Sequence, residues 1–450
     1  MPTTIQSTKE QLSPKNVLDV LSRHILVDGY HVVMDMERSQ GSYLYDARSD
    51  RPILDFFSCF ATIPIGYNHP RMNDPEFREA LMEAALTKPS TSDIYTEHFA
   101  RFVETFSSLA VPKTHSDHMF FVEGGTLAIE NTLKTAFDWK IRKNLAKGKG
   151  EKGTKVLHFK NAFHGRSGYS LSMTNTADPR KTQYFPKFDW PRLSCPRLRF
   201  PVTDEVLREV AAAEEAVERE IRAACAASPD DVAALILEPI QGEGGDNHFR
   251  PELFRRLRAL ADELDFLLIF DEVQTGVGLT GSMWCWQQMG VEPDMFAFGK
   301  KTQVCGFAAN HRVDEIPDNV FKVSSRINST WGGNLVDMIR CARYMEIIAE
   351  ENLIENARVV GEHLQGRLRE LATEFPGIMT NVRGRGLFIA FDLPDKETRD
   401  KTLAACLENG MMGLASGANA IRFRPHLILS KDEADEGVRK LRRALGSVKK

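Results

Sequence analysis

The chain has 450 residues, 42% hydrophobic and 27% charged, a balance that fits a globular protein and excludes a mainly disordered one. Lys plus Arg number 58 against 62 Asp plus Glu, and the net charge of -4 argues against bulk nucleic-acid binding, which needs a strongly basic domain. No stretch approaches the roughly 20 apolar residues of a membrane helix, and the polar start at residues 1–15 argues against a secretory signal.

Cys59, Cys195, Cys225, Cys285, Cys305, Cys341 and Cys406 are scattered, with no C-x-x-C pair. They read as reduced thiols of a cytoplasmic protein, with neither a disulfide framework nor a zinc site. No H-E-x-x-H pattern occurs, so no metal is expected.

In chain order, residues 1–14 are expected to be mobile, and 14–38 hold a short helix and an extended piece. Residues 41–57 read as two strands around a polar turn, 70–88 and 95–109 as amphipathic helices. Then short apolar strands alternate with helices: strand 119–122, helix 126–143, strand 155–159, helix 204–227, strand 232–237, helix 249–264, strand 267–270 and strand 294–298. The Lys/Gly-rich stretch 145–154 lacks phosphate-loop spacing and reads as a solvated turn. Beyond 334 come helices 335–350 and 354–375, strands within 382–393, helix 397–408, strand 420–429 and helix 431–445.

The alternation predicts an α/β fold: a large domain over 76–334 with a mostly parallel sheet flanked by helices. Residues 15–75 and 335–450 are expected to form a smaller α+β domain from both chain ends. In open α/β sheets ligands bind beyond the carboxyl ends of the strands. Gly125, Thr126, Phe163, His164, Glu238, Asp271 and Lys300 all fall there.

A carboxylate after one buried strand (LLIFDEVQT) and a lysine after the next (MFAFGKK) suit pyridoxal phosphate. That cofactor needs a lysine to form an imine with its aldehyde. It also needs an acid beside its pyridine nitrogen, which keeps the ring an electron sink. Lys300 and Asp271 would serve, and Gln274 on the same loop could bond the ring hydroxyl. Taken alone, an aspartate after a strand is more often structural.

Glu123-Gly-Gly-Thr126 offers free N–H groups at a helix start, where a phosphate is attracted, although Gly-Gly turns before helices are common. In NAFHGRS, Phe163 could stack on a flat ring and Arg166 could grip a carboxylate, or the Arg could simply be solvated. EPIQGEGG carries Glu243, NSTWGGN carries Thr330, and IRFRP places Arg422 and Arg424 on one strand face. Gly276, Gly278 and Gly281 match G-x-G-x-x-G, but a dinucleotide site wants them directly between a strand and a helix. Here Asp271–Thr275 intervene after the strand, which argues against a nicotinamide site.

Together these motifs resemble the class III (ω-) aminotransferases of the fold-type I pyridoxal phosphate enzymes. The run DEVQTGVGLTG followed some two dozen residues later by GK is specific to that group, and the resemblance spans residues 17–445. FVEGG, AFHGRSGYSLS, EPIQGEGGDNHFRPE, STWGGN and, most discriminating, FPKFDWPR and FGKKTQVCG are similar to members acting on the ε-amine of L-lysine.

The resemblance implies Lys300 as the imine lysine, Asp271 as partner of the pyridinium and Gln274 as the ring-hydroxyl contact, close to the substrate. It implies Gly125 and Thr126 as the phosphate turn and Phe163 as the stacking ring. Thr330 would reach the phosphate of the other subunit, implying a homodimer. Arg422 would hold the α-carboxylate of glutamate or 2-oxoglutarate, and Arg166 a distal carboxylate. Glu243 would neutralise Arg422 when an ω-amine occupies the site. The implied reaction carries the ε-amino group of L-lysine to 2-oxoglutarate. Rivals are ornithine, 4-aminobutyrate or diaminobutyrate as donor, an aminomutase or racemase, and a non-catalytic sensor of amines.

Overall fold

The computed structural model describes residues 12–448. Apart from residues 12–14, the expected mobile start lies outside them.

Three strands open the fold as an antiparallel meander: β1 Met34–Gln40, β2 Tyr43–Asp46 and β3 Arg51–Asp55. The central sheet follows, from β4 Met119–Val122, β5 Lys155–Phe159, β6 Arg192–Leu193 and β7 Val232–Leu237. A small hairpin intervenes, β8 Ile240–Gln241 with β9 Asn247–His248. Then β10 Leu267–Asp271, β11 Met295–Phe298 and β12 Cys305–Ala309 complete the sheet. Its order is β4-β12-β11-β10-β7-β5-β6.

Strands β7 and β10 are buried along their whole length, as near-continuous apolar runs should be when helices cover both faces. Successive side chains point to opposite faces. Leu235, Leu237, Leu268 and Phe270 therefore join one apolar cluster, while Ala234, Ile236, Leu267 and Ile269 join another. The helices Gly125–Ala146, Asp204–Ala227 and Pro251–Glu263 follow β4, β6 and β9.

Strand β12 departs from the expected pattern. It runs antiparallel between β11 and β4 in a sheet whose other pairings are parallel. Its CGFAA sequence gives little apolar signal, and Gly306 lets it lie close, because a Cβ there would fall 2.0 Å from the Phe120 carbonyl oxygen.

Past the helices Leu335–Glu350 and Leu353–Glu374 come β13 Thr380–Arg385, β14 Phe388–Asp392 and the helix Lys396–Glu408. Strands β15 Met411–Met412, β16 Leu414–Ser416 and β17 Ala420–Phe423 precede the last helix, Lys431–Val448. β15 pairs in parallel with β3, Met411 against Leu54, so both chain ends share one sheet, while β13-β14-β17-β16 form another. β17 stops at Phe423 rather than 429. Arg424 leaves the ladder to donate its N–H to Phe56 O (2.8 Å), and Pro425 has no N–H to continue it.

Candidate active site

The parallel strands deliver their carboxyl ends to one edge, and a cavity of about 460 Å³ opens there. Phe163 and His164 reach it after β5, Glu238 after β7, Asp271 from the end of β10 and Lys300 after β11. Gly125 and Thr126 at the start of a helix, with Arg166, Val273 and Gln274, complete most of its wall.

Lys300 has φ 54°, in the left-handed region that side chains rarely adopt. Such backbone strain clusters at functional sites. Burial first, then the Arg422 and Arg424 guanidiniums, push its ammonium down to about 7, against the pull of Asp271 and Glu238. A lysine poised there is a neutral nucleophile over much of the physiological range. The neighbouring Lys301 is also buried and depressed, but it donates to the Gln274 carbonyl oxygen at 2.8 Å and so braces the loop.

Asp271 is 5% exposed. Its Oδ2 lies 2.8 Å from His164 Nδ1, and its Oδ1 accepts from Val273 N–H at 3.1 Å. Glu238 accepts the N–H groups of Phe163 and Gly242, each at 2.9 Å, and so ties two site loops together. Burial raises its carboxyl to about 7, with His164 opposing and Asp271 adding. Sequence reading placed His164 and Glu238 at the strand ends but gave neither a task.

The helix Gly125–Ala146 starts at Gly124, whose φ of 97° suits glycine, and no side chain caps it. Its first N–H groups therefore remain available for an anion. The Thr126 hydroxyl lies 2.7 Å from Ser170 Oγ, which itself donates to Ser167 O at 2.7 Å. The Thr126 hydroxyl thus already has a side-chain partner, while no described side chain caps the backbone amides of this turn.

Arg422 and Arg424 are not solvated, as such a strand pair usually is; they are 4% and 0% exposed. Both converge on Gln274 Oε1, from Arg422 Nη1 at 3.1 Å and from Arg424 Nε and Nη2 at 3.2 and 3.0 Å. Arg424 is neutralised by buried Asp246 at 2.6 Å. Arg422 has no carboxylate partner among the described residues, and its Nε is buried without an acceptor. The expected Glu243–Arg422 pair is not formed in this conformation: Glu243 Oε1 pairs with Lys181, and Gln274 takes the Arg422 donor instead. Neither Lys181 nor Asp246 carried a signal in the sequence.

Arg166 is exposed on the cavity wall and makes no ion pair among the described residues. Thr330 is exposed and outside the cavity of its own chain; its carbonyl accepts from Ser90 Oγ at 2.5 Å. The glycine-rich run after β10 is a packing turn, where a Cβ on Gly276 would fall 2.5 Å from the Trp284 ring. His118, His311 and Asp314 come within reach of one cation away from the cavity, but Lys322 already donates to Asp314 at 2.9 Å.

An amine-bearing lysine, a buried carboxylate, an uncapped helix start and flanking Phe163 and Val273 form a chamber suited to a flat, phosphorylated aldehyde cofactor. The model for aminotransferase class-III matches residues 26–445, and the chain belongs to that family. It is a pyridoxal-phosphate-dependent aminotransferase of fold type I. The chain is 52% identical over 439 residues to the L-lysine-epsilon aminotransferase of Mycobacterium tuberculosis, covering 96% of each chain. It is 46% identical over 438 residues to that of Amycolatopsis lactamdurans, again over 96% of each. The 4-aminobutyrate aminotransferase of Sus scrofa is 32% identical over 90% of this chain and 83% of its own. A solved lysine aminotransferase from M. tuberculosis superposes with a TM-score of 0.94 at 51% identity, over 97% of this chain and all of the other.

Proposed function

We propose that the chain transfers the ε-amino group of L-lysine to 2-oxoglutarate, giving 2-aminoadipate 6-semialdehyde, which cyclises to piperideine-6-carboxylate, and L-glutamate. The observation that carries this reading is Arg422, a buried guanidinium beside Lys300 with a donor that no group among the described residues accepts. A buried cation left so calls for a ligand carboxylate. Exposed Arg166 on the cavity wall supplies a second, distal grip. The similarity to the two L-lysine-epsilon aminotransferases above, at 52% and 46% identity, favours lysine as the donor.

Pyridoxal phosphate supplies an aldehyde that condenses with amines and a ring that delocalises the electron pair left at the adjacent carbon. Lys300 would bind that aldehyde and, once displaced, take the proton from Cε of the lysine substrate as general base. Asp271, held by His164, would keep a proton on the ring nitrogen. Gly125 and Thr126 amides would hold the phosphate, Phe163 would cover the ring and Gln274 would orient its hydroxyl. Arg422 would take the α-carboxylate of 2-oxoglutarate, while Arg166 would hold the γ-carboxylate, or the α-carboxylate of lysine.

The working form is read as a homodimer in which Thr330 serves the phosphate of the partner subunit's site; its exposure away from its own cavity supports this. Residues 76–334 are read as the large domain and 15–75 with 335–450 as the small one, supported by the β3–β15 pairing. A cytoplasmic setting is supported by seven unpaired thiols. Adding L-lysine without a keto acid should remove the long-wavelength absorbance of the holoenzyme, and 2-oxoglutarate should restore it. A spectrum untouched by lysine but bleached by ornithine or 4-aminobutyrate would overturn the choice of donor.

A further inference from the structure

The geometry points to Lys181 as a positioning residue for dicarboxylate acceptors: it receives Glu243 when a substrate carboxylate claims Arg422. This rests on the aminotransfer reading above. Glu243 follows Gly242, whose added Cβ would fall 2.1 Å from Gln274 Oε1, the atom to which Arg422 donates. Glu243 is thus next to the Gln274–Arg422 contact along the chain. Yet its Oε1 pairs with Lys181.

Three observations make this a two-position device. Arg422 Nε is buried with no acceptor among the described residues, ready for a ligand carboxylate while Glu243 is away. Glu243 Oε2 is also buried without a partner among the described residues, so Lys181 satisfies only one of its oxygens. Leaving that oxygen unsatisfied costs free energy, which lowers the cost of exchanging this position for another. The backbone beneath is pinned, with Glu243 O accepting from Gly417 N–H at 2.9 Å and Gly242 O from Ser416 Oγ at 2.7 Å. The exchange is therefore a side-chain rotation. A displaced carboxylate without a cation would stay on Arg422 and compete with the substrate. Lys181 removes that competition. Its Nζ lies 5.9 Å from the centre of the Phe163 ring, which lines the cavity.

The test is calorimetric binding of glutarate, an unreactive dicarboxylate, to the holoenzyme. Lys181→Met should weaken it about five- to tenfold, and Lys181→Arg should restore it to within about twofold. In a Glu243→Ala background, Lys181→Met should change affinity by less than about twofold, because the competitor is gone. Equal weakening in that background would mean that Lys181 touches the ligand itself and would overturn the proposal; so would unchanged affinity in the single variant. Kinetically, Lys181→Met should raise KM for 2-oxoglutarate and leave the lysine half-reaction within about twofold; equal losses in both would also overturn it. Both substitutions should fold, since the Lys181 side chain is 25% exposed. If wild type fails to react with lysine, the donor assignment falls while the glutarate cycle still decides the role of Lys181.

Discussion

Gly242→Ala tests whether Gln274 and its two arginines set acceptor affinity. The added Cβ would fall 2.1 Å from Gln274 Oε1, 2.5 Å from its Cδ and 2.9 Å from its Nε2. These atoms end a flexible side chain, so Gln274 yields and the protein folds. Its oxygen then leaves three guanidinium donors at 3.0 to 3.2 Å. Hydrogen bonds to charged groups contribute about 1.5–3 kcal/mol each. Arg424 keeps Asp246, so the net loss falls on Arg422. Losing about 2 kcal/mol of its positioning raises KM for 2-oxoglutarate about thirtyfold. Relieved overpacking costs about 1 kcal/mol and a few degrees of Tm at most. The control is Gly244→Ala, whose Cβ would fall 1.8 Å from the Asn161 carbonyl oxygen, a backbone atom that cannot rotate away. That variant should lose stability first. Unchanged acceptor KM in Gly242→Ala, or a Tm loss equal to that of Gly244→Ala, would refute the reasoning.

Three further outcomes follow from the charges of the site. Uptake of pyridoxal phosphate by cofactor-free enzyme should accelerate up to about pH 7 and then level off, because Lys300 is deprotonated above that point; a rate still climbing beyond about pH 9 would indicate an ordinary lysine. Glu238 has its folded value raised from 4.5 to about 7, so its contribution to stability is full below 4.5 and lost as pH rises through 7. That loss is about 3 kcal/mol, and Glu238→Gln should flatten this part of the Tm–pH curve; equal slopes would contradict the raised value. Asp246→Asn leaves Arg424 buried without its ion pair, and such breaks cost about 3–5 kcal/mol, read as a lower Tm and denaturation midpoint.

The strand-end residues were legible in the sequence because chemistry and chain order coincide there. β7 is apolar throughout and β10 is apolar up to its last residue, and the first polar group of each run, Glu238 just past β7 or Asp271 at the end of β10, is delivered to the cleft by the parallel sheet alone. Lys300 follows by the same rule. What escaped is whatever depends on distance in space. Lys181 meets Glu243 across 62 residues and Asp246 meets Arg424 across 178, and no periodicity encodes either encounter. β12 escaped because close packing against β4 favours glycine and alanine over the bulky residues that mark a strand. The contact between the Thr126 and Ser170 hydroxyls, 44 residues apart, escaped in the same way.

The arginine pair joins the two kinds of information. Alternation along the strand expected over 420–429 puts Arg422 and Arg424 on one face, which the sequence shows. Only the fold shows that this face is buried, where the pair lowers the Lys300 ammonium and grips Gln274. Asp246 neutralises one arginine, and among the described residues no carboxylate neutralises the other. That asymmetry makes Arg422 the place where a substrate carboxylate gains most. On the proposal above, it also gives Glu243 a reason to leave Arg422 for Lys181.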